Sequence, residues 1–439
     1  MWTYHPELLA TPVPRYTSYP TAAEFRDGID SREIEGALGA VPADAAISLY
    51  LHIPFCREIC RYCGCNTGAA NKKHRLAGYV DALESEIDLV AGRLAGRGRL
   101  SRISFGGGSP NAIGPEDFLR LVERIKTGFR ARSPILFVEI DPRSLDRDWA
   151  EMMRIAGVTR ASLGVQTFAP HVQSAIGRIQ PGGMIREAAE RLRQAGVSSL
   201  NFDLMFGLPL QSSLDLEDTL RQAAVIRPDR IALFGYAHVP HLIARQRQID
   251  SASLPTAPIR FEQARLGHDF LSAAGYQSVG FDHFSLPGDP LAISRRSGRL
   301  RRNFQGFTDD QSEYLIGLGA SAISSFPDRI LQNEKNAGRY RLRVSGGRFP
   351  VCRGVVRTSQ DVSRARIIED LLCHGEAAIP PVFLSPAKHR LRPFEDAALI
   401  AFSGKRLKLA PEALPYARAI AAAFDVYRQP DARRFSNAI

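Results

Sequence analysis

Four of the chain's six cysteines fall within ten positions, Cys56, Cys60, Cys63 and Cys65, in the stretch HIPFCREICRYCGCN at residues 52–66. Thiols crowded onto one loop can ligate a metal, exchange disulfides or attack a substrate. Structural zinc usually takes two ligand pairs on either side of a longer loop, and Cys352 and Cys373 lie singly. A thioredoxin-type pair would use Cys60 and Cys63 and leave Cys56 idle. Plant-type and bacterial ferredoxin spacings also differ. What remains is Cys56-x3-Cys60-x2-Cys63, three thiolates on one loop. An iron–sulfur cubane held by three thiolates has one iron without a protein ligand, open to an incoming molecule.

A loop of this kind needs a rigid frame. AISLYLHI (46–53) is a β-branched, apolar run that leads into the cysteines. Further strand-like runs fall at 101–105, 135–140, 160–165, 198–204 and 230–236. Helical periodicity separates or follows them at 79–95, 115–129, 146–156, 181–195, 214–226 and 259–274. Six strand–helix units in series predict a parallel sheet, with strands buried on both faces. A doubly wound sheet, a complete eight-stranded barrel and a partial six-unit barrel all meet that description.

The polar residues favour the barrel. The cysteines follow the first strand and GGGSP (106–110) the second. Glu139, Gln166 and Asp203 end the third, fourth and fifth strands, and Tyr236, Ala237 and His238 follow the sixth. Barrels collect chemistry at the C-terminal ends of their strands, whereas open sheets bind ligands at a switch point. The expected fold is α/β, a partial (β/α)6 TIM-like barrel at 46–275. An N-terminal arm (1–45) precedes it. A barrel-closing, substrate-facing extension (276–358) and a small, mainly helical C-terminal domain (359–439) follow.

No apolar run reaches the length of a membrane span, and no secretory signal opens the chain, so a cytoplasmic enzyme is expected. The net charge of +11 suits an acidic partner. SRRSGRLRR (294–302) concentrates it, as a solvated loop or a hold on an anionic ligand. No nucleic-acid-binding motif surrounds it, and no nucleic-acid partner is expected.

The cysteine spacing, after a strand and before GGGSP, resembles the radical S-adenosylmethionine (SAM) superfamily. The whole chain closely resembles the oxygen-independent coproporphyrinogen III oxidases. The likeness runs through PVPRYTSYPTA (12–22), YLHIPFCREICRYCGCN (50–66), VEIDPRSL (138–145) and LGVQTF (163–168). It continues in NFDLMFGLP (201–209), YAHVP (236–240), DHF (282–284), RNFQGFT (302–308), ASAIS (320–324), FDVY (424–427) and FSNAI (435–439). Cys65 and the arm are its more specific marks.

The resemblance implies a 4Fe-4S cluster on Cys56, Cys60 and Cys63, with SAM at the unique iron and room for a second SAM. It implies oxidative decarboxylation of two propionates of coproporphyrinogen III by a 5′-deoxyadenosyl radical, giving protoporphyrinogen IX. Tyr50, Gly107, Glu139, Gln166, Arg178, Asp203, Ala237 and Ile323 match SAM-contacting positions, and Gly108 and Ser109 match contacts of a second SAM. Cys65 is expected to act in catalysis outside the ligand set. A low-potential, flavodoxin-like donor and a monomeric protein are expected. The alternatives are a haem-binding chaperone without decarboxylase activity and a radical SAM enzyme for another tetrapyrrole. Two departures stand out: Gly235 where the family commonly has asparagine, and a shortened C-terminal domain.

Overall fold

The computed structural model describes residues 2–428; the FSNAI motif lies outside them. Six parallel strands form its centre: β1 (Ala46–Ile53), β2 (Arg99–Gly107), β3 (Ile135–Ile140), β4 (Arg160–Gln166), β5 (Ser199–Phe206) and β6 (Arg230–Gly235). They pair in chain order, each parallel to the next. A doubly wound sheet reverses its order at a switch point; this one never does. The alternative of a barrel-type winding is the one realised.

Helices α1 (Lys73–Leu94), α2 (Pro115–Gly128), α3 (Arg147–Ala156), α4 (Gly182–Gln194), α5 (Ser213–Ile226) and α6 (Ala257–Ala273) alternate with or follow the strands. Local chemistry sets several of their ends. Pro115 opens α2, with Glu116 and Asp117 in the first turn and Lys126 in the last, each matched to the helix dipole. Ser212 and Asp215 form a reciprocal capping box on α5, worth about 1 kcal/mol. Helix α1 starts six positions before the periodic run at 79. Its first turns are basic and carry no side-chain cap, which leaves a weak signal in the sequence. Leu49, Leu51, Ile103, Phe105, Leu163, Phe202 and Phe118 of the sheet and its helices are fully buried in one continuous core.

Among the described residues the sheet has thirteen strands. On the β1 side it gains β7 (Tyr314–Leu318), parallel to β1, then antiparallel β8 (Ile323–Phe326), β9 (Arg329–Asn333) and β10 (Val351–Val356), and at the edge the two-residue strand Arg26–Asp27 of the N-terminal arm. On the β6 side it gains His283–Ser285 and Gln277–Val279, both antiparallel. The two ends of the sheet do not pair with each other, so the barrel is partial.

A buried polar knot fixes β7 against the mouth. Glu86 of α1 accepts from Gly319 N (2.7 Å), Asn333 Nδ2 (2.7 Å) and the Tyr340 hydroxyl (2.6 Å). Tyr79 donates to the carbonyl of His52 at 2.7 Å and accepts from Ala320 N at 2.8 Å. The end of β1, which launches the cysteine loop, is thereby tied to the turn after β7.

The C-terminal region packs helices Ser359–His374 and Pro381–Asp396 around a three-stranded sheet. It shares a hydrophobic core with the N-terminal arm through Leu9, Val13, Tyr16 and Tyr19. Tyr16 donates to Asp425 at 3.0 Å, and Val426 N donates to the Tyr19 hydroxyl at 3.2 Å. The arm also holds a helix, Ser31–Gly39, capped by Asp30. The basic run mostly staples: Arg301 pairs with Glu369 at 2.8 Å, and Arg296 donates to Gln277 Oε1 at 2.7 Å.

Candidate active site

At the C-terminal ends of β1–β6 lies a cavity of about 460 Å3. Of the residues singled out from the sequence, Cys56, Cys60, Cys63, Cys65, Gly107, Gly108, Ser109, Glu139, Gln166, Arg178, Asp203 and Ala237 line it. Tyr50 faces an adjoining cleft that shares Cys65, Gly107 and Glu139 with the cavity. Ile323 lies elsewhere, in a chamber beneath the N-terminal arm with Tyr16 and Phe304. The strand ends therefore converge on one space, and β8 does not reach it.

The glycine turn after β2 owes its composition to crowding. Gly107 has φ +116°, and a Cβ there would sit 2.6 Å from the His52 ring. A Cβ on Gly108 would sit 2.6 Å from the Phe55 carbonyl oxygen. Only glycine lets this backbone pass so close to the cysteine loop. His52 is itself buried; its Nδ1 lies 3.1 Å from the Tyr50 hydroxyl. Burial pulls its pKa down to about 4, so the ring is neutral at physiological pH.

Two carboxyls look into the cavity from β3 and β5, on either side of β4. Burial, with Asp203 nearby, pushes Glu139 up to about 7, and its Oε2 accepts from Gly107 N at 3.1 Å. Asp203 is raised by burial as well, against the hydrogen bonds it accepts from Ser162 (2.8 Å) and Asn201 (2.8 Å). Half-buried carboxyls that face a cavity and form no salt bridge among the described residues are suited to meeting a cationic or hydrogen-bond-donating ligand.

Opposite them lies a cationic pair, Arg178, expected from the resemblance, and Arg143, which was not. Arg178 donates to Cys60 Sγ at 3.4 Å, to Asp141 at 3.4 Å and to the Gly164 carbonyl at 2.7 Å. Arg143 reaches Cys60 Sγ at 3.5 Å and Asp141 at 2.6 Å. Burial would raise Asp141, yet Arg178 and Arg143 hold its carboxyl below the ordinary carboxylate range. Asp141 and Arg143 stand just past the end of β3, where Asp141 caps the turn Pro142–Ser144 and the turn brings Arg143 back onto it. Gln246 was also missed: its amide joins the Tyr62 carbonyl of the cysteine loop (2.8 Å) to the Ala237 carbonyl after β6 (3.0 Å).

The donor set fits an iron–sulfur cluster better than a single ion. Cys56, Cys60 and Cys63 are free thiols around one cavity. Among the described residues no three His, Cys, Asp or Glu side chains are grouped as ligands of one metal ion. Sulfur-only ligation is the rule for such clusters, and the guanidiniums on Cys60 would offset thiolate charge. Cys65 is exposed, and its amide donates to Cys63 Sγ at 3.4 Å. Ser109 is buried and bonded to Asn111 Oδ1 at 2.6 Å. At Gly235 a Cβ would lie 3.0 Å from the Phe206 ring, so an asparagine here would need that ring to yield.

The radical SAM superfamily matches residues 50–223. The chain is 42% identical to an oxygen-independent coproporphyrinogen III oxidase of Bradyrhizobium diazoefficiens, covering 97% of both chains. This protein belongs to the oxygen-independent coproporphyrinogen III oxidase family. A member from Escherichia coli is 34% identical over 97% of this chain and 96% of its own. The solved structure of coproporphyrinogen III oxidase from Escherichia coli, described as a radical SAM enzyme, superposes with a TM-score of 0.91 at 33% identity. It covers 97% of this chain and all (100%) of that one. Membership makes the protein a radical SAM oxidoreductase and brings with it a 4Fe-4S cluster and SAM as the family's cofactors. Among the described residues no helix is long and apolar enough to cross a membrane.

Proposed function

We propose that the protein converts coproporphyrinogen III to protoporphyrinogen IX by oxidative decarboxylation of two propionate side chains to vinyl groups. The observation that carries this is similarity at 34–42% identity over nearly the whole chain to enzymes named for that oxidation. The shared name favours this reading over a haem-carrying chaperone and over a radical SAM enzyme for another tetrapyrrole.

Cys56, Cys60 and Cys63 would hold the cluster, with Arg178 and Arg143 balancing charge at Cys60. Cluster and SAM, when bound, supply a 5′-deoxyadenosyl radical that takes one hydrogen atom from a propionate. Gly107 offers backbone at close approach, while Glu139, Asp203, Gln166, Ala237 and Tyr50 orient the cofactor from neighbouring strand ends. Gly108 and Ser109 stand where a second SAM would lie, and Ile323 would join them only from its separate chamber. Loss of carbon dioxide and one electron to an acceptor completes each vinyl group. Cys65, exposed beside the ligand thiols, acts on the substrate side. The protein works as a monomer fed by a low-potential donor of flavodoxin type.

The test is anaerobic turnover. Coproporphyrinogen III with SAM and a low-potential reductant should yield protoporphyrinogen IX and 5′-deoxyadenosine. SAM cleavage with an unchanged tetrapyrrole would refute the assignment.

A further inference from the structure

The cleft that adjoins the main cavity is the larger of the two spaces, about 660 against 460 Å3, and has the size of a small-molecule site. Cys65, Gly107, Glu139 and Arg245 line both cleft and cavity, so a ligand in the cleft can reach past the thiols into the cavity. Gln332 and Lys335, at and just beyond the end of β9, line the cleft and not the cavity.

Two cations border this space, and both are fastened to the tail of the cysteine loop. Arg245 donates to the Thr67 hydroxyl at 2.8 Å and to the Thr67 carbonyl at 3.4 Å. The Lys335 carbonyl accepts from Asn66 Nδ2 at 3.0 Å, while its ammonium, at the exposed rim, makes no hydrogen bond among the described residues. Neither side chain forms a salt bridge among the described residues. Partial burial, then Arg353, lowers the Lys335 pKa; Asp27, whose charge opposes this, is already held by Arg353 at 2.6 Å. Glu139 shares the wall but is pushed up to about 7, so at neutral pH it answers only part of that positive charge. Gln332 adds an unmet group. It is 6% exposed, its Nε2 donates to the Ser321 carbonyl at 3.1 Å, and its Oε1 accepts no bond among the described residues. A buried acceptor left open calls for a donor. Unanswered cations with an open acceptor, around one cleft, suit a ligand that carries both carboxylates and N–H groups.

On the basis of the proposed reaction, we infer that this cleft holds the tetrapyrrole, with Lys335 as the principal contact of a propionate carboxylate and Arg245 as the second. Coproporphyrinogen III has four propionates and the reaction consumes two, so carboxylates remain for these cations while another propionate reaches into the cavity. The pyrrole N–H groups of the reduced macrocycle are donors of the kind that Gln332 Oε1 lacks. Lys335 and Arg245 would thus help select which propionate faces the cofactor.

The carboxylate could instead be that of SAM, so the test reads both ligands. Lys335→Gln should raise the Kd for coproporphyrinogen III, measured anaerobically at equilibrium, about tenfold, the loss of one charge-assisted contact. The Kd for SAM should stay as it is. Lys335→Arg should restore most of the affinity. Arg245→Gln should weaken substrate by a smaller factor, because that guanidinium is partly spent on Thr67. Added salt should weaken the wild-type complex more steeply than the Lys335→Gln complex. An unchanged substrate Kd in Lys335→Gln, or a SAM Kd that rises by as much, would overturn the inference while wild-type turnover left the function standing. A wild-type protein that makes no protoporphyrinogen IX would instead overturn the function.

Discussion

Arginine and aspartate line both ends of the β1–β6 strands, and they are used in opposite ways. At the N-terminal ends, Arg160 of β4 grips Asp309 with two bonds (2.7 and 2.9 Å), and Arg102 of β2 adds a third at 3.1 Å. Arg230 of β6 meets Asp289 at 2.7 Å, and Ser199 of β5 bonds the same carboxylate at 2.7 Å. Burial would raise Asp309, but Arg160 and Arg102 drive it well below the carboxylate range. That end is a plug in which each named carboxylate has its cation. At the C-terminal ends Glu139 and Asp203 are half-buried among neutral donors and their pKa values rise. There Arg178 and Arg143 share Asp141 and spend their remaining donors on Cys60. Paired charge marks the end that holds the barrel together; charge held by neutral groups marks the end that meets ligands.

Breaking the cysteine set should give the largest effect. Cys56→Ala should abolish activity and the brown four-iron chromophore of the anaerobic protein; an intact four-iron spectrum would remove Cys56 from the ligands. Cys65→Ser should keep iron content and lose turnover, read by iron assay beside product formation, whereas full activity would return Cys65 to packing.

At the other end the cost should fall on stability. Asp309→Ala leaves Arg160 and Arg102 buried without their carboxylate and should destabilise by roughly 3–5 kcal/mol in denaturant melts. The Glu86 knot lies between these extremes, a buried carboxyl among neutral donors. Burial raises it from 4.5 to about 7. The folded state therefore keeps this proton where the unfolded chain has released it. Stability from this site is full below about 4.5 and declines as pH rises towards about 7, by on the order of 3 kcal/mol. Thermal melts of Glu86→Gln across that window should show a flatter slope than wild type.

The six units were legible because each strand carries a short, largely apolar run and each helix keeps its own periodicity; the run at 135–140 matches its strand end for end. The cysteine loop was legible because spacing alone carries its chemistry. Strand β7 was not: it pairs in parallel with β1 from more than 250 residues away, and its Gly-punctuated run has no helix after it to complete a unit. The resemblance placed Ile323 among the cofactor contacts, yet β8 carries it into the neighbouring chamber. Asp141 and Arg143 were overlooked because DPR after a strand reads as a turn, and a turn it is: Asp141 caps Pro142–Ser144. Capping and charge pairing use the same carboxylate.

Hydrogen-atom transfer is the step on which the account depends, and isotope labelling reads it directly. Coproporphyrinogen III deuterated on the propionate carbon next to the ring should pass deuterium into 5′-deoxyadenosine as protoporphyrinogen IX forms. Product formed alongside unlabelled 5′-deoxyadenosine would contradict a radical drawn from that cavity onto that side chain.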